Sequence, residues 1–205
     1  MSGLILAAGR GTRFGGPLPK QFCTLGSYPV LVHSIRAMVA LDPLVIVCNS
    51  GDFGLVCDLT QPYNVHIVVS DGDDRNETIW AGLSYLQSFC TNGKVIIHDA
   101  ARPFINAGHI DRLLSCTAPY SQYCLALTNG LHRKGHPEPV SREEYVELCT
   151  PLCVDYTLAL DIYRTYIRTH QAYEILHILE RWGTSYDLLL GQFWDLRKIT
   201  YQRDL

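Results

Sequence analysis

The chain has 205 residues, of which 47% are hydrophobic and 18% are charged. This length and composition are typical of one globular domain and leave no room for two. The 17 Lys and Arg residues against 20 Asp and Glu give a formal net charge of −3, which excludes a general positive field that would attract nucleic acid. The apolar runs are of strand length, far below the roughly 20 residues of a membrane-spanning helix. We therefore expect a single domain over residues 1–205, without nucleic-acid binding or membrane insertion.

The first residues and the cysteines both favour the cytosol. The apolar run that ends before Gly9 is short and lacks a basic flank, so it does not predict a secretory signal. The chain has eight cysteines and no C-x-x-C pair, and several of them fall within apolar strand or helix patterns. We expect free thiols in a reducing compartment, and hence a cytoplasmic protein.

Short apolar runs alternate with longer helical patterns along the chain. The predicted strands cover residues 4–7, 44–48, 65–69, 95–98, 124–127 and 186–190. The predicted helices cover residues 30–40, 76–89, 107–116, 154–168 and 173–181. This alternation predicts the α/β class, with a mostly parallel central sheet and helices on both faces. Residues 128–147 are polar, show no helical period and are predicted to leave the sheet as a short arm.

The loop after the first predicted strand is rich in glycine and carries cations. Four glycines between Ala8 and Lys20 free the backbone to turn its N–H groups toward an anion, and Arg13 and Lys20 add positive charge. The loop lacks the Gly-Lys-Ser/Thr of a Walker A motif, and Phe14 stands where the dinucleotide-binding fingerprint has its third glycine. It predicts a phosphate cradle of another kind, with a flexible turn that binds nothing as the alternative.

The turn at residues 70–78 follows the third predicted strand and leads into an amphipathic helix. It contains Gly72 and Arg75, and its backbone amides are placed to read the edge of a base. Capping of the helix by Asp73 or Asp74, together with Glu77, is an equally good interpretation of the acidic residues.

Charged residues also follow two later strands, where ligands collect in open α/β sheets. Asp99 comes directly after a very apolar run, and a carboxylate at a strand end beside an anion-binding loop is suited to Mg²⁺. Its neighbour His98 is more typical of a core residue than of a metal ligand. Asp195 and Lys198 follow the last predicted strand, where a solvated lysine without function is the alternative.

Four stretches of the chain, in order, resemble one enzyme family. They read L-A-A-G-R-G-T-R-F-G with P-K-Q-F, D-G-D-D-R-N-E-T, H-D-A-A-R-P-F, and K-I-T-Y-Q-R-D-L. Together they span residues 4–205 and resemble the cytidylyltransferases that make CDP-methylerythritol or CDP-ribitol. The resemblance implies a Rossmann-like nucleotidyltransferase fold, with Mg²⁺ as cofactor and with CTP and a polyol phosphate as substrates. The P-K-Q-F-C of residues 19–23 and the last stretch are most similar to the ribitol-5-phosphate enzymes of animals, whose product serves glycan synthesis such as protein O-mannosylation.

The resemblance also implies a role for each matching residue. The implied catalytic cations are Arg13, Lys20, Arg142 and Lys198. The residues implied around CTP are Ala7, Ala8, Gly9, Gly11, Gly72, Asp73, Arg75, Thr78 and Asp99, the last of which would hold Mg²⁺. The residues implied around the acceptor are Arg102, Arg142, Asp195 and Lys198. Family members are usually homodimers joined by an arm, which here would be residues 128–147.

Two positions on the acceptor side depart from the family pattern. Leu131 stands where a threonine hydroxyl is usual, and Leu152 takes the place of a glutamine after Thr150 and Pro151. Methylerythritol phosphate stays open as the acceptor, because two polyol phosphates of similar size are hard to tell apart from motifs. A catalytically weak, CTP-binding regulatory protein is the alternative from another class. A dinucleotide-dependent oxidoreductase is disfavoured by the missing third glycine and by the lack of an acid after the second strand.

Overall fold

The computed structural model describes residues 1–72, 74–89, 92–127, 145–167 and 174–205. Asp73, Arg142 and residues 128–144 of the predicted arm lie outside the described residues. The remaining residues of that arm are described, and Val146 and Glu147 begin a strand.

The described chain forms seven helices of the α type and nine strands. The strands are β1 (Ser2–Leu6), β2 (Thr24–Leu25), β3 (Tyr28–Pro29), β4 (Leu44–Cys48), β5 (His66–Val69), β6 (Lys94–Asp99), β7 (Tyr120–Ala126), β8 (Val146–Asp155) and β9 (Asp187–Leu190). The helices are α1 (Val30–Met38), α2 (Phe53–Thr60), α3 (Arg75–Leu86), α4 (Ala107–Ser115), α5 (Tyr156–Ile162), α6 (Ile175–Trp182) and α7 (Phe193–Leu196). Among the described residues, no helix combines the length and the apolar character that crossing a membrane requires.

Seven of the strands form one sheet in the order β5-β4-β1-β6-β8-β7-β9. The pairs β5–β4, β4–β1 and β1–β6 are parallel, as is β7–β9, whereas β8 runs antiparallel to both β6 and β7. The two short strands β2 and β3 form a separate antiparallel hairpin. The predicted α/β class with a mostly parallel central sheet is therefore confirmed.

The sheet is buried on both faces because its central strands are mainly apolar: β4 is apolar throughout, and β1 and β6 have apolar runs at residues 4–6 and 95–97. Along β1, Leu4 and Leu6 belong to one core and Ile5 to the other, as the two-residue period of a strand requires. One core packs against α3, α5 and α6, and the other packs against α1, α2 and α4. This arrangement confirms the predicted helices on both faces.

Helix α3 packs closely on β1 at Gly82, where any side chain would force Leu4 to shift. A Cβ atom on Gly82 would lie 2.2 Å from Cδ1 of Leu4. The close approach sets the distance between α3 and β1 at this point.

The prediction of a helix over residues 154–168 was wrong at its start. Val154 and Asp155 end strand β8, and helix α5 begins only at Tyr156. Strand β8 was not predicted, because it is buried on both faces for much of its length and contains Pro151, which is unfavourable within a strand. The pairing of β8 with β7 shifts register at this point, so Thr150 and Pro151 occupy a bulge that tolerates proline.

Candidate active site

A pocket of about 380 Å³ opens at the carboxyl ends of β1 and β6. Four segments form its walls: the glycine-rich loop after β1, the turn before α3, the residues after β6, and the C-terminal segment, here defined as residues 191–205. The predicted site residues that line it are Ala8, Gly9, Gly11, Arg13, Lys20, Gly72, Arg75, Thr78, Asp99 and Lys198. The folded chain thus brings together residues that are spread over nearly 200 positions of sequence.

Two side-chain amides hold the glycine-rich loop in shape. The Nε2 atom of Gln21 donates to the carbonyl oxygens of Ala7 and Gly9, at 2.7 and 3.0 Å. The Nδ2 atom of Asn49, which follows β4, donates to the carbonyl oxygen of Ala8 at 2.7 Å. Because three successive carbonyl groups are tied back to the protein, the start of the loop is held in one conformation. Neither amide was identified from the sequence.

Glycine is required within the loop where the backbone turns. Gly11 has a φ of +61° and Gly15 a φ of +70°, a conformation that residues with a side chain rarely adopt. Ala7, also predicted to lie around CTP, is 1% exposed and does not line the pocket.

Lys20 lies half-buried on the wall of the pocket. Its Nζ atom donates to the carbonyl oxygen of Ile199 in the C-terminal segment, at 2.7 Å. Burial, reinforced by the positive charges of Lys198 and Arg13 and opposed by Asp99, lowers the pKa of Lys20 to about 8. The pocket is therefore electropositive around a lysine that a bound anion would stabilise in its charged form.

Asp99 is held on three sides at the end of β6. Its Oδ1 atom accepts a hydrogen bond from Nε of Arg75 at 3.1 Å, and its Oδ2 atom accepts one from Nζ of Lys198 at 2.8 Å. Its backbone N–H donates to Oγ1 of Thr150 at 3.1 Å. Burial alone would raise the pKa of Asp99, but the charges of Arg75 and Lys198 outweigh burial and hold that pKa well below its usual range. The carboxylate is therefore ionised.

The turn before α3 combines a helix cap with the pocket wall. Asp74 is the N-cap, since its Oδ1 atom accepts a hydrogen bond from the backbone N–H of Glu77 at 2.8 Å. The capping interpretation is thus correct for Asp74. Gly72 lies so close to Glu77 that a Cβ atom would be 2.3 Å from Oε2 of that residue. Arg75 is the first residue of the helix, and its Nε atom contacts Asp99. Its Nη1 atom lies 3.8 Å from Oε1 of Glu174.

Two residues predicted for the acceptor side do not line the pocket. Arg102 is 6% exposed, and its Nη1 atom donates to the carbonyl oxygen of Leu196. Asp195 lies within α7, and its Oδ2 atom is 3.7 Å from Nε2 of His109. Contact of Arg102 with a ligand would require the C-terminal segment to move.

His98 is a core residue. It is fully buried, its Nε2 atom lies 3.1 Å from the carbonyl oxygen of Arg102, and burial lowers its pKa to about 4. At neutral pH the ring is uncharged, as the alternative interpretation predicted.

The donor set suits a metal ion that arrives with a nucleotide. Within the described ranges, no three His, Cys, Asp or Glu side chains are close enough together to hold an ion by themselves. Asp99 nevertheless offers one ionised carboxylate in a pocket that also holds Lys20 and Arg13. Mg²⁺ is commonly bound by one or two carboxylates and completed by nucleotide phosphates and water. The residues therefore fit Mg²⁺ bound to a nucleoside triphosphate.

The doubly wound sheet and the cation-lined pocket at its carboxyl edge define a Rossmann-like nucleotidyltransferase. The chain belongs to the IspD family, because the family model for 2-C-methyl-D-erythritol 4-phosphate cytidylyltransferase matches residues 1–205. The chain is thus a cytidylyltransferase, as the sequence motifs predicted.

Individual relatives and solved structures agree with this assignment. A 2-C-methyl-D-erythritol 4-phosphate cytidylyltransferase of Clostridium botulinum is 28% identical, over 98% of this chain and 93% of the relative. A ribitol-5-phosphate cytidylyltransferase of Lactiplantibacillus plantarum is 39% identical, over 49% of this chain and 48% of the relative. The crystal structure of 4-diphosphocytidyl-2C-methyl-D-erythritol synthase from Anaerococcus prevotii superposes with a TM-score of 0.84 at 18% identity, covering 99% of this chain and 91% of that one. This last likeness confirms the fold.

Proposed function

We propose that the protein transfers CMP from Mg²⁺-CTP to ribitol 5-phosphate, giving CDP-ribitol and pyrophosphate for glycan synthesis. One observation carries the proposal: the cations Lys20, Arg13 and Lys198 and the carboxylate of Asp99 line a single pocket next to a glycine-rich loop. Such a set suits a reaction between two phosphate-bearing molecules, which needs charge compensation more than proton transfer.

On the CTP side, Arg13 and Lys20 flank the triphosphate. The backbone of Ala7, Ala8, Gly9 and Gly11, with the turn formed by Gly72, Asp73, Arg75 and Thr78, surrounds the cytosine and ribose. The support is that the loop and the turn line the same pocket, through Ala8, Gly9, Gly11, Gly72, Arg75 and Thr78. A backbone held by Gln21 and Asn49 costs little further ordering when the nucleotide binds.

Asp99 holds Mg²⁺ in this proposal. A bound Mg²⁺ ion supplies positive charge to the phosphate oxygens and orients them. Both oxygens of Asp99 already have cationic partners, Arg75 and Lys198, and each carboxylate oxygen has a further lone pair that a bound ion would use. The side chain of Lys198 is 34% exposed, so its ammonium is accessible to an acceptor phosphate.

The chemical step needs no general base. The second pKa of a phosphate monoester is about 6, so the acceptor is largely a dianion at neutral pH. One of its oxygens attacks the α-phosphorus of CTP, a new P–O bond forms, and the bond from the α-phosphorus to the bridging oxygen breaks as pyrophosphate leaves. The protein aligns the two anions and stabilises the charge that develops, which is the work of Lys20 and Arg13. The neutral, buried His98 takes no part.

On the acceptor side, we propose contacts from Arg102, Arg142, Asp195 and Lys198. Ribitol 5-phosphate is favoured by the 39% identity to the Lactiplantibacillus plantarum enzyme, although that match covers 49% of the chain. The second candidate acceptor is 2-C-methyl-D-erythritol 4-phosphate, favoured by the relative that matches 98% of the chain. A third candidate function, CTP binding with weak catalysis, rests on Leu131 and on Leu152, which pairs opposite Ile97 in the core.

The experiment is incubation with CTP labelled at the α-phosphate, with Mg²⁺ and ribitol 5-phosphate. The expected result is transfer of the label to CDP-ribitol, with ATP, GTP and UTP as controls for the base. Retention of intact CTP on the protein would support the regulatory function instead, and absence of both transfer and binding would contradict the proposal.

The homodimer through residues 128–147 and the cytoplasmic location stay predictions. The cytoplasmic location is supported by seven free cysteines in the described part of the chain.

A further inference from the structure

Ile199, in the C-terminal segment, contacts Lys20 beside the pocket. Ile199 is fully buried, and its backbone N–H donates to the carbonyl oxygen of Ala101 at 2.8 Å. Its own carbonyl oxygen accepts the hydrogen bond from Nζ of Lys20. Residues 202–204 then form a single 3₁₀ turn.

The carboxylate of Asp204 closes this turn onto the backbone. Its Oδ2 atom accepts hydrogen bonds from the N–H groups of Thr200, at 2.8 Å, and Tyr201, at 2.7 Å. The N–H of Thr200 and the carbonyl of Ile199 belong to one planar peptide unit. The N–H of this peptide unit therefore donates to the carboxylate of Asp204, and its carbonyl oxygen accepts from the ammonium of Lys20.

We propose that Asp204 is a positioning residue for Lys20, acting through the peptide unit that joins Ile199 and Thr200. The carboxylate fixes the plane of this unit and, by accepting its N–H, increases the negative charge on its carbonyl oxygen. The inference rests on the proposed function for what Lys20 does, namely contact the triphosphate.

The charges around Lys20 explain why a hydrogen bond to a polarised carbonyl helps to keep its ammonium charged. Burial and the positive charges of Lys198, Arg13 and Arg102 lower the pKa of Lys20, and the negative charge of Asp99 partly offsets them. An ammonium has three donors, and one hydrogen bond to Ile199 leaves the others for phosphate oxygens. A polarised carbonyl that accepts one of these donors favours the charged ammonium and holds it in place before any ligand arrives.

Asp204 itself is ionised under ordinary conditions. The hydrogen bonds from the backbone of Tyr201 and Thr200 lower its pKa below the usual value for aspartate. Its carboxylate is thus available to the peptide unit across the pH range in which Lys20 titrates.

The test compares Asp204→Ala and Asp204→Asn with Gln202→Ala, a change in the same turn that leaves the carboxylate in place. The first readout is the affinity for Mg²⁺-CTP by calorimetry. We expect Asp204→Ala to weaken binding about three- to tenfold and Asp204→Asn to weaken it less, as an indirect loss of one charged hydrogen bond predicts. Gln202→Ala should bind like the parent protein.

A double-mutant cycle separates positioning from a general structural role. In a Lys20→Ala background, Asp204→Ala should cause no further loss of Mg²⁺-CTP affinity, because its effect passes through the missing ammonium. An equal loss in both backgrounds, or no loss in either, would overturn the proposal. If the parent protein binds no Mg²⁺-CTP, the proposed function fails. A second readout, which needs no ligand, then tests whether Asp204 positions Lys20.

That readout is the pKa of Lys20 measured by NMR on protein with labelled lysine. The chain has four lysines, and Lys20→Arg identifies the signal. We expect Asp204→Ala to lower the pKa of Lys20 below its parent value, whereas Gln202→Ala leaves it in place. An unchanged pKa in Asp204→Ala, in a protein whose thermal unfolding is cooperative, would overturn the positioning role.

Discussion

The Nζ atom of Lys198 lies 2.8 Å from Oδ2 of Asp99, which joins the C-terminal segment to the end of β6 across 99 positions of sequence. Arg75 occupies the other oxygen of the same carboxylate from the start of α3. One buried acid therefore connects three walls of the pocket, and its charge balances two cations until a ligand enters.

Loss of the Asp99 charge should change how stability depends on pH. The pKa of Asp99 is depressed in the folded protein, whereas in the unfolded chain it is about 4. The carboxylate therefore contributes stability above pH 4 that is lost as the pH falls below that value. In Asp99→Asn we expect a loss of about 1–3 kcal/mol near neutral pH, because two partly exposed cations lose their partner. Denaturant unfolding between pH 3 and pH 7 should show a flatter profile for Asp99→Asn, and parallel profiles would contradict this assignment.

The same substitution tests the metal site through the Mg²⁺ titration of activity. With a neutral amide in place of the carboxylate, we expect the Mg²⁺ concentration for half-maximal rate to rise by about tenfold, as loss of one charged ligand predicts. The control is Asp58→Asn, an exposed change on α2, which should leave the Mg²⁺ concentration for half-maximal rate unchanged. An unchanged titration in Asp99→Asn would refute the metal assignment.

Removal of the Lys20 ammonium should abolish transfer while the fold persists. The side chain lies on the wall of the pocket rather than within either core, so we expect Lys20→Ala to unfold at nearly the parent temperature. The rate should fall by about a hundredfold or more, because one preorganised charge on the transferring phosphate is lost. Arg36→Ala, which removes a cation stacked on Tyr28 outside this pocket, is the control. Near-normal turnover in Lys20→Ala would remove the proposed mechanism.

Binding of CTP should weaken as the pH rises through about 8, the pKa of Lys20 in the free protein. Below that pH the ammonium is charged and attracts phosphate, and above it the neutral amine does not. Binding near pH 8 should therefore take up a proton, measurable by calorimetry in buffers of different ionisation enthalpy. Lys20→Arg stays charged throughout this range, so its proton uptake should vanish. Equal uptake in both proteins would assign the titration to another group.

Two glycine substitutions should change stability in opposite directions. In Gly82→Ala the new methyl group would meet Leu4 at 2.2 Å, and overpacking of this kind costs about 1–3 kcal/mol. In Gly54→Ala the methyl group, on α2, meets no atom within 4 Å in the described structure, and the gain in helix propensity is about 0.5–1 kcal/mol. Chemical unfolding of both variants measures these changes. Equal stability of the two variants would contradict the close packing of α3 on β1.

Much of the fold was predictable because the core strands carry strong apolar signals. Strand β4 was predicted with its observed bounds, and β1 and β6 to within two residues. Strand β8 was not predictable in the same way, since Pro151 argues against a strand and the bulge that tolerates it depends on pairing with β7. Helix α2 was also missed, and its eight residues follow Asn49, Ser50 and Gly51, which read as a loop.

The site was predictable in its chemistry but not in its contacts. Lys20 and Asp99 are recognisable in the sequence because Lys20 follows a glycine-rich loop and Asp99 follows an apolar strand. The pairing of Asp99 with Arg75 and Lys198 depends on distances in space that no local pattern encodes. Gln21 and Asn49 act through backbone carbonyl groups, and an isolated amide in a sequence has no feature that marks such a role.

Pyrophosphate release from Mg²⁺-CTP, measured with ribitol 5-phosphate and 2-C-methyl-D-erythritol 4-phosphate offered in parallel, tests both the activity and the acceptor. We expect release with ribitol 5-phosphate at a rate at least about tenfold above that with the other acceptor, a discrimination that differential contacts of modest strength can supply. Release with 2-C-methyl-D-erythritol 4-phosphate alone would contradict the proposed acceptor. Release with neither would contradict catalysis at this pocket.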